Sequence, residues 1–392
     1  MSVVSIRKIA DQSYENIKAT VNQVIADVGG LEDIVKPGCK VIIKPNLVAC
    51  PTERLSGGVT RWEVCLAIYE AVQAVGGIPV IAESSAAGAD TELTIAKCGY
   101  QELRDRGIPV IDLKNKENAR CTVPVENSVV FDKINTWELV RDADAIITVP
   151  VMKTHDQTEI TLGMKNLKGL LIDTQKKDFH KKGLIEGLYL KPVLEIIDGT
   201  FGQQGLGPIF GETKQMDLIV GSKDLVACEA VTGKIMGYEP EEVMITKSAS
   251  KRGYGEMDLN KIEVIGKQVE EVKSRFKRSC EVEIEGIPAS FNLIFSKDAC
   301  TGCHNTVISA LMDMKAQDLF PYLEGMNVCV GPCTKEHLPA DATAENTVCI
   351  GVCAKKLADE MGFRWVVGCP PGNADVVKGI LGDRKEYGVR YS

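Results

Sequence analysis

The sequence lacks any excess of positive charge: 46 lysines and arginines stand against 54 aspartates and glutamates, a formal net charge of −8. A general nucleic-acid binder needs a basic face to neutralise phosphates, so that class is excluded. Long apolar runs are missing too. The longest, such as Ala145–Met152, fall far short of the roughly 20 residues that span a bilayer, which excludes a membrane-spanning chain. The opening Met1-Ser-Val-Val-Ser-Ile-Arg has no apolar core followed by a small-residue cleavage site, and this predicts a cytoplasmic protein. No Gly-Lys-Ser/Thr follows a glycine at the phosphate-loop spacing, which disfavours a simple ATPase. What is present is ordinary for a soluble globular protein: 44% hydrophobic and 26% charged residues. At roughly 150 residues per domain, 392 residues imply two or three domains.

The first half of the chain alternates short apolar runs with helical periodicity. Strands are expected at Val41–Ile43, Pro79–Glu83, Pro109–Leu113, Asp144–Pro150, Leu194–Asp198 and Leu218–Val220. Helices are expected at Tyr14–Val28, Trp62–Val75 and Leu225–Met236. Continuous apolar strands alternating with helices predict an α/β fold, a mostly parallel sheet with helices on both faces. Functional residues of such sheets gather beyond the carboxyl ends of the strands. Those positions hold Lys44 and Asn46, Glu83 and Ser84, Lys153 and His155, and Asp198. Serines, glycines and aspartates at strand ends also serve as plain turn formers, but lysine has no such role.

Two segments stand out. In the first, an apolar strand delivers Lys153 and His155, two residues apart and so on one side if the strand continues. Lys165, Asn166 and Lys168 follow, and then His180 among Lys176, Lys177, Lys181 and Lys182. In an acidic chain this local excess of cations predicts a pocket for a carboxylate or phosphate, against the plainer alternative of a solvated cationic face. Lys153, His155, His180 and Asp198 are the catalytic candidates. Lys44, Asn46, Ser84, Lys165, Asn166 and Lys168 are the substrate-binding ones. The second segment, Asp198–Pro208, holds four glycines and reads as a loop whose amides could approach an anion. Its glycine spacing is not that of a dinucleotide fingerprint.

Taken in order, Lys44-Pro-Asn46-Leu-Val, Pro150-Val-Met-Lys153-Thr-His155, Lys165-Asn166-Leu-Lys168-Gly169 and Ile197-Asp198-Gly199 resemble the domain-of-unknown-function family numbered 362. Asp224-Leu-Val-Ala-Cys-Glu-Ala-Val with Lys234-Ile-Met-Gly237 extends the resemblance, which covers roughly residues 1–270. It implies an iron–sulfur segment, which members often carry. It also implies a fold similar to that of the nickel-dependent lactate racemases, with Lys and His residues lining a cleft. The motif features of the racemases' nickel-pincer cofactor are not evident in this sequence.

Of the fourteen cysteines, eight lie beyond residue 279: Cys280, Cys300, Cys303, Cys329, Cys333, Cys349, Cys353 and Cys369. This shift in density predicts a boundary, with an α/β domain over 1–275 and a smaller cysteine-rich α/β domain over 280–392. In a reduced compartment, clustered cysteines imply metal ligands or redox chemistry before disulfides. Cys300-Thr-Gly-Cys303, the repeat Cys329-Val-Gly-Pro-Cys333 and Cys349-Ile-Gly-Val-Cys353, and Cys369-Pro before a helix at Asn373–Leu381 point to an iron–sulfur cluster, 4Fe-4S in type. Zinc and buried structural or redox thiols are the alternatives. Cys300, Cys303, Cys353 and Cys369 are the first choice of ligands and Cys333 the reserve, with Cys329 and Cys349 pointing into a sheet.

Together these features predict a cytosolic, oxygen-sensitive iron–sulfur enzyme, redox in type, acting on a small anionic substrate with an electron-transfer protein as partner. A racemase, epimerase or dehydratase of a 2-hydroxy acid and a non-enzymatic carrier or cluster scaffold remain open.

Overall fold

The computed structural model describes residues 1–387 except 129, 180–183 and 209. The chain forms two compact units: Met1–Thr154 with Ile160–Phe276, and His155–Glu159 with the chain from Lys277 onward. The division falls close to the shift in cysteine density, with one addition. The short excursion 155–159 groups with the second unit.

In the first unit the leading elements are β1 (Ser2–Lys8), α1 (Tyr14–Asp27), β2 (Lys40–Pro45), α2 (Trp62–Ala74), β3 (Ile78–Glu83) and β4 (Val110–Asp112). A small hairpin, Arg120–Pro124 with Lys133–Trp137, precedes β5 (Ala145–Val149) and β6 (Val151–His155). A four-residue helix α3 (Gly163–Asn166), a 3-10 turn at Leu167–Leu170 and α4 (Asp173–Asp178) follow. The unit closes with β7 (Pro192–Leu206), β8 (Phe210–Ser222), α5 (Leu225–Met236) and β9 (Ile262–Gly266). The main path of the sheet runs β9-β1-β8-β7-β5-β2-β3-β4, and only β8 is antiparallel to its neighbours β1 and β7.

Alternation along the strands explains why both faces are covered. Val41, Ile43, Ala145 and Ile147 point to the face carrying α1 and α2, where they join Ile17, Val21, Val64 and Ile68. Their neighbours Ile42 and Ile146 point to the opposite face and join Val226, Val231 and Ile235 of α5. A strand buried on both sides has no polar position until it ends, so its first polar residues appear at the carboxyl edge.

The glycine-rich stretch after Asp198 is not a loop. It continues as strand, paired from Phe201↔Gln215 to Leu206↔Phe210 in the long β7–β8 hairpin. Close packing explains its glycines. A Cβ on Gly202 would lie 2.7 Å from the Met152 carbonyl oxygen and 2.9 Å from the Phe276 ring. Spacing alone does not separate a glycine needed for close approach from one that cradles an anion.

The second unit is built on four parallel strands in sequential order, β10 (Asn292–Phe295), β11 (Asn327–Val330), β12 (Thr347–Ile350) and β13 (Arg364–Val366). Helices α6 (Thr301–Ala316), α7 (Lys355–Met361) and α8 (Asn373–Leu381) accompany them. Val328, Val330, Val348 and Ile350 pack with α6 and α8 on one face. Cys329 and Cys349 pack with Leu357 and Phe363 on the other.

Candidate functional site

The register of the first sheet places Lys44 beside Thr148 and ends β2 and β3 at Pro45 and Glu83. Lys44 is buried, and its Nζ donates to the Pro45 carbonyl at 2.6 Å and to Asn166 Oδ1 at 3.3 Å. It also forms a buried ion pair with Glu83 Oε1 at 2.8 Å. Glu83 in turn accepts the amides of Leu47 and Ser84, each at 2.7 Å. Burial pulls the Lys44 ammonium below its usual range, and the Glu83 carboxylate opposes that pull.

Asn166 joins the elements. Its Nδ2 donates to the Lys44 carbonyl at 2.9 Å and to Thr148 Oγ1 at 3.1 Å, while its Oδ1 also accepts from Asn46 Nδ2 at 3.1 Å. Lys153, fully buried, donates to Asn46 Oδ1 at 2.8 Å and to the Gly58 carbonyl at 2.6 Å. Burial, then the neighbouring Lys165 charge, lowers its pKa to about 7. Gly169 is obligatory beside this group, because a Cβ there would lie 2.5 Å from Glu83 Oε1 and 2.6 Å from Lys44 Nζ.

Lys44, Asn46, Lys153, Lys165 and Asn166 therefore form one buried network, with Lys165 entering through its charge on Lys153. Ser84 lies at its margin, donating to the Gly169 carbonyl at 2.8 Å and accepting from Lys176 Nζ at 2.7 Å. Lys176 also donates to the Ser84 and Ser85 carbonyls and pairs with Asp173. Lys168 falls in the 3-10 turn, half-buried, so Lys165 and Lys168 do not share one continuous helix face. Asp198 is buried and fully engaged: Oδ2 accepts from Arg61 N at 2.9 Å, and Oδ1 accepts from Thr200 N and Oγ1. His155 has different partners from Lys153. Its Nδ1 faces Asp156 Oδ1 at 2.8 Å and accepts from Gln157 N at 2.9 Å. His180 lies outside the described residues.

Glu195 on β7 and Glu229 on α5 were not singled out by the sequence. Both are buried, and each accepts one of the first two amides of α3: Gly163 N to Glu195 Oε1 and Met164 N to Glu229 Oε1, both at 2.7 Å. Burial, with Glu229 nearby, raises the Glu195 carboxyl well above the carboxylate range, and burial raises Glu229 to about 7. Glu195 follows apolar Leu194 in a buried strand, where a charged residue is itself a signal.

In the second unit the cysteines form two sets. Cys303 is buried, and that burial, then Cys300, Cys369 and Cys353, push its thiol up to about 12. Cys300 caps α6, Cys353 follows β12, and Cys369 follows β13, and all three are exposed. The other set is Cys329, Cys333 and Cys349. Cys329 and Cys349 are register partners on adjacent strands, and Cys329 hydrogen-bonds to both other thiols. Cys333 Sγ also donates to the Val330 carbonyl at 3.4 Å, so the reserve ligand sits with the strand thiols. Among the described residues, no three His, Cys, Asp or Glu side chains are set to close on one metal ion.

Fold and site together define an α/β protein with a buried Lys/Asn/Glu network at a parallel-sheet edge and a separate cysteine-rich unit. Residues 41–234 match the family described as Domain of unknown function (DUF362). The chain is 29% identical over 265 residues to the thylakoid-associated protein sll1697 of Synechocystis sp., covering 64% of this chain and 79% of that one. Among solved structures it is similar to the lactate racemase apoprotein from Thermoanaerobacterium thermosaccharolyticum. That similarity has 13% identity and a TM-score of 0.37 over 59% of this chain and 57% of the other, too slight to carry function. Among the described residues no helix is long and apolar enough to cross a membrane.

Proposed function

We propose that the chain is a cytoplasmic iron–sulfur protein whose first unit binds a small carboxylate or phosphate and whose second unit supports redox chemistry. The observation that carries the first half is the convergence of Lys44, Lys153 and Lys165 at one sheet edge in a chain of net negative charge. Lys44 is balanced by Glu83, and the Lys165 charge that depresses the Lys153 amine is the positive charge an anion would meet at this edge. Asn46 and Asn166 orient the Lys44 and Lys153 amines, and burial excludes the water that would screen them.

For the second half, Cys300, Cys303, Cys353 and Cys369 are the residues that would hold a cluster. Three of them follow the carboxyl ends of β10, β12 and β13, where parallel sheets place their ligands. A single zinc, with Zn–S near 2.3 Å, needs its sulfurs within about 3.8 Å of one another. Cys300, Cys353 and Cys369 surround Cys303, and four thiols grouped in this way suit a cluster, where each sulfur binds a different iron. When bound, such a group supplies one-electron chemistry.

Anaerobic purification with iron and sulfide analysis, and the visible spectrum before and after dithionite, test the cluster half. Absence of iron and sulfide refutes it. Titration calorimetry with small carboxylates and phosphate, comparing wild type with Lys165→Gln, tests the anion half. Binding that is unaffected by the substitution refutes it. A racemase or epimerase reading has one observation in its favour, the depressed Lys153 amine, which is suited to moving a proton near neutral pH.

A further inference from the structure

The three well-placed lysines of the first unit differ in how many acceptors surround each amine. An ammonium has three N–H donors, whereas a neutral amine has two and keeps a lone pair. Lys44 Nζ meets three acceptors: the Pro45 carbonyl, Asn166 Oδ1 and Glu83 Oε1. Lys176 Nζ meets four: the Ser84 carbonyl, Ser84 Oγ, the Ser85 carbonyl and Asp173 Oδ1. Lys153 Nζ meets two, Asn46 Oδ1 and the Gly58 carbonyl, and neither is charged. Two of these amines are built as cations and the third as a neutral amine.

From this difference we infer that Lys153 is an imine-forming lysine and that the small anion the first unit takes is a 2-oxo acid, an assignment that rests on the anion-binding reading above. A lysine becomes a nucleophile when it is desolvated or set beside another cation, and Lys153 is both. Burial lowers all three amines, Lys153 to about 7 and Lys176 to about 8, so it is the acceptor count that sets Lys153 apart. The division of labour follows. Lys165, the cation beside Lys153, supplies positive charge for the carboxylate, while Lys153 supplies the lone pair for the adjacent carbonyl carbon. The new bond joins Nζ to that carbon. The carbonyl oxygen leaves as water, carrying the two protons that the amine gives up, and no oxidant or reductant is consumed.

The amine is sealed by Gly58, whose carbonyl is the contact a substrate must displace. Gly58 belongs to the irregular segment between β2 and α2, where a Cβ on Gly57 would lie 2.1 Å from the Gly202 carbonyl oxygen. Opening therefore requires movement of a turn and not of a helix or strand.

The test is reductive trapping on the full chain. Protein is incubated with pyruvate and sodium cyanoborohydride, digested, and the modified lysines are located by mass spectrometry. Lactate, which lacks the carbonyl, serves as the control, and binding of both acids is measured by calorimetry without reductant. Expected is one dominant adduct on Lys153, at least ~10-fold above any exposed lysine, since a pKa near 10.4 leaves less than ~0.1% of such a lysine neutral at pH 7. Trapping should rise through the neutral pH range and vanish in Lys153→Arg. If that variant does not fold, the map of modified sites in the wild type still decides. Binding of both acids with no adduct at Lys153 overturns the imine and leaves the anion reading standing. Failure of both acids to bind overturns the anion reading and the imine with it. Adducts confined to exposed lysines overturn the imine assignment.

Discussion

Glu229→Gln tests whether the buried carboxyl pair shares protons as its surroundings require. In the wild type Glu229 accepts from Met164 N at Oε1 and from Thr246 Oγ1 at Oε2, while the Cys228 thiol hydrogen-bonds to the Glu195 carboxyl. Glutamine keeps the shape and, through Oε1, the contact from Met164 N, whereas its Nε2 replaces the oxygen that accepts from Thr246 Oγ1 and can only donate there. Burial moves the Glu229 carboxyl from an ordinary 4.5 to about 7. A raised carboxyl means that the folded state holds the proton more tightly. Its stabilising share is complete below about 4.5 and is lost as pH rises through about 7. At 1.36 kcal/mol per pH unit the loss is about 3 kcal/mol over that window. The variant has no such group, so its stability relative to wild type should improve by about 3 kcal/mol between pH 4.5 and pH 8. Urea unfolding followed by far-UV circular dichroism, repeated at stepped pH, reads the difference directly. Parallel pH profiles for the two proteins would falsify the assignment of Glu229 as the titrating group.

Three further perturbations probe neighbouring parts of the molecule. Glu83→Gln leaves the Lys44 ammonium buried without its carboxylate and should cost about 3–5 kcal/mol, read as a lower urea midpoint; an unchanged midpoint would show that the pair is dispensable. Gly163→Ala pushes a Cβ to 2.4 Å from the Glu195 carboxyl, so about 1–3 kcal/mol should be lost, and a neutral result would mean that α3 shifts freely. Cys303→Ser should lower iron content sharply while Cys349→Ser leaves it unchanged, and equal losses in an iron assay would merge the two thiol sets.

Much of the sheet was legible because buried parallel strands carry their own signal. Val41–Ile43 and Asp144–Pro150 read as strands from apolar continuity alone, and Leu225–Met236 and Asn373–Leu381 match their helices residue for residue. Strand ends also pointed to Lys44, Asn46 and Lys153, and the lysine-rich run after them to Asn166; these four do meet. Three things were not legible. The glycines after Asp198 look the same whether they serve a loop or the crowded contact of Gly202 with Met152 and Phe276. Glu195 and Glu229 are 34 positions apart, and only the packing of α5 on the sheet brings them to adjacent amides. His155 is two residues from Lys153, yet the chain turns toward Asp156 and Gln157 directly after it, so an expectation of strand alternation does not carry past the strand's last residue.

Seven of the eight C-terminal cysteines, all but Cys280, are divided by the geometry of a pleated sheet. Register partners on adjacent parallel strands point to the same face, so Cys329 and Cys349 must lie together. Their strand neighbours Val328, Val330, Val348 and Ile350 face the other way, onto the cluster of side chains that includes Cys303. The sheet itself therefore separates the strand thiols from Cys303, and Cys333 is held with the former by its contact to Cys329. The remaining members of the Cys303 set are not in strands at all. Cys300, Cys353 and Cys369 lie in the connections that follow strands, where the backbone is free of ladder hydrogen bonds and can turn a sulfur toward a shared centre. The spacing Cys-Xaa-Gly-Xaa-Cys repeats at Cys349 and Cys353, and it spans that divide in four residues: one thiol stays in the strand and the other leaves it. A motif that looks like a pair of ligands is, in this fold, one core residue followed by one ligand candidate.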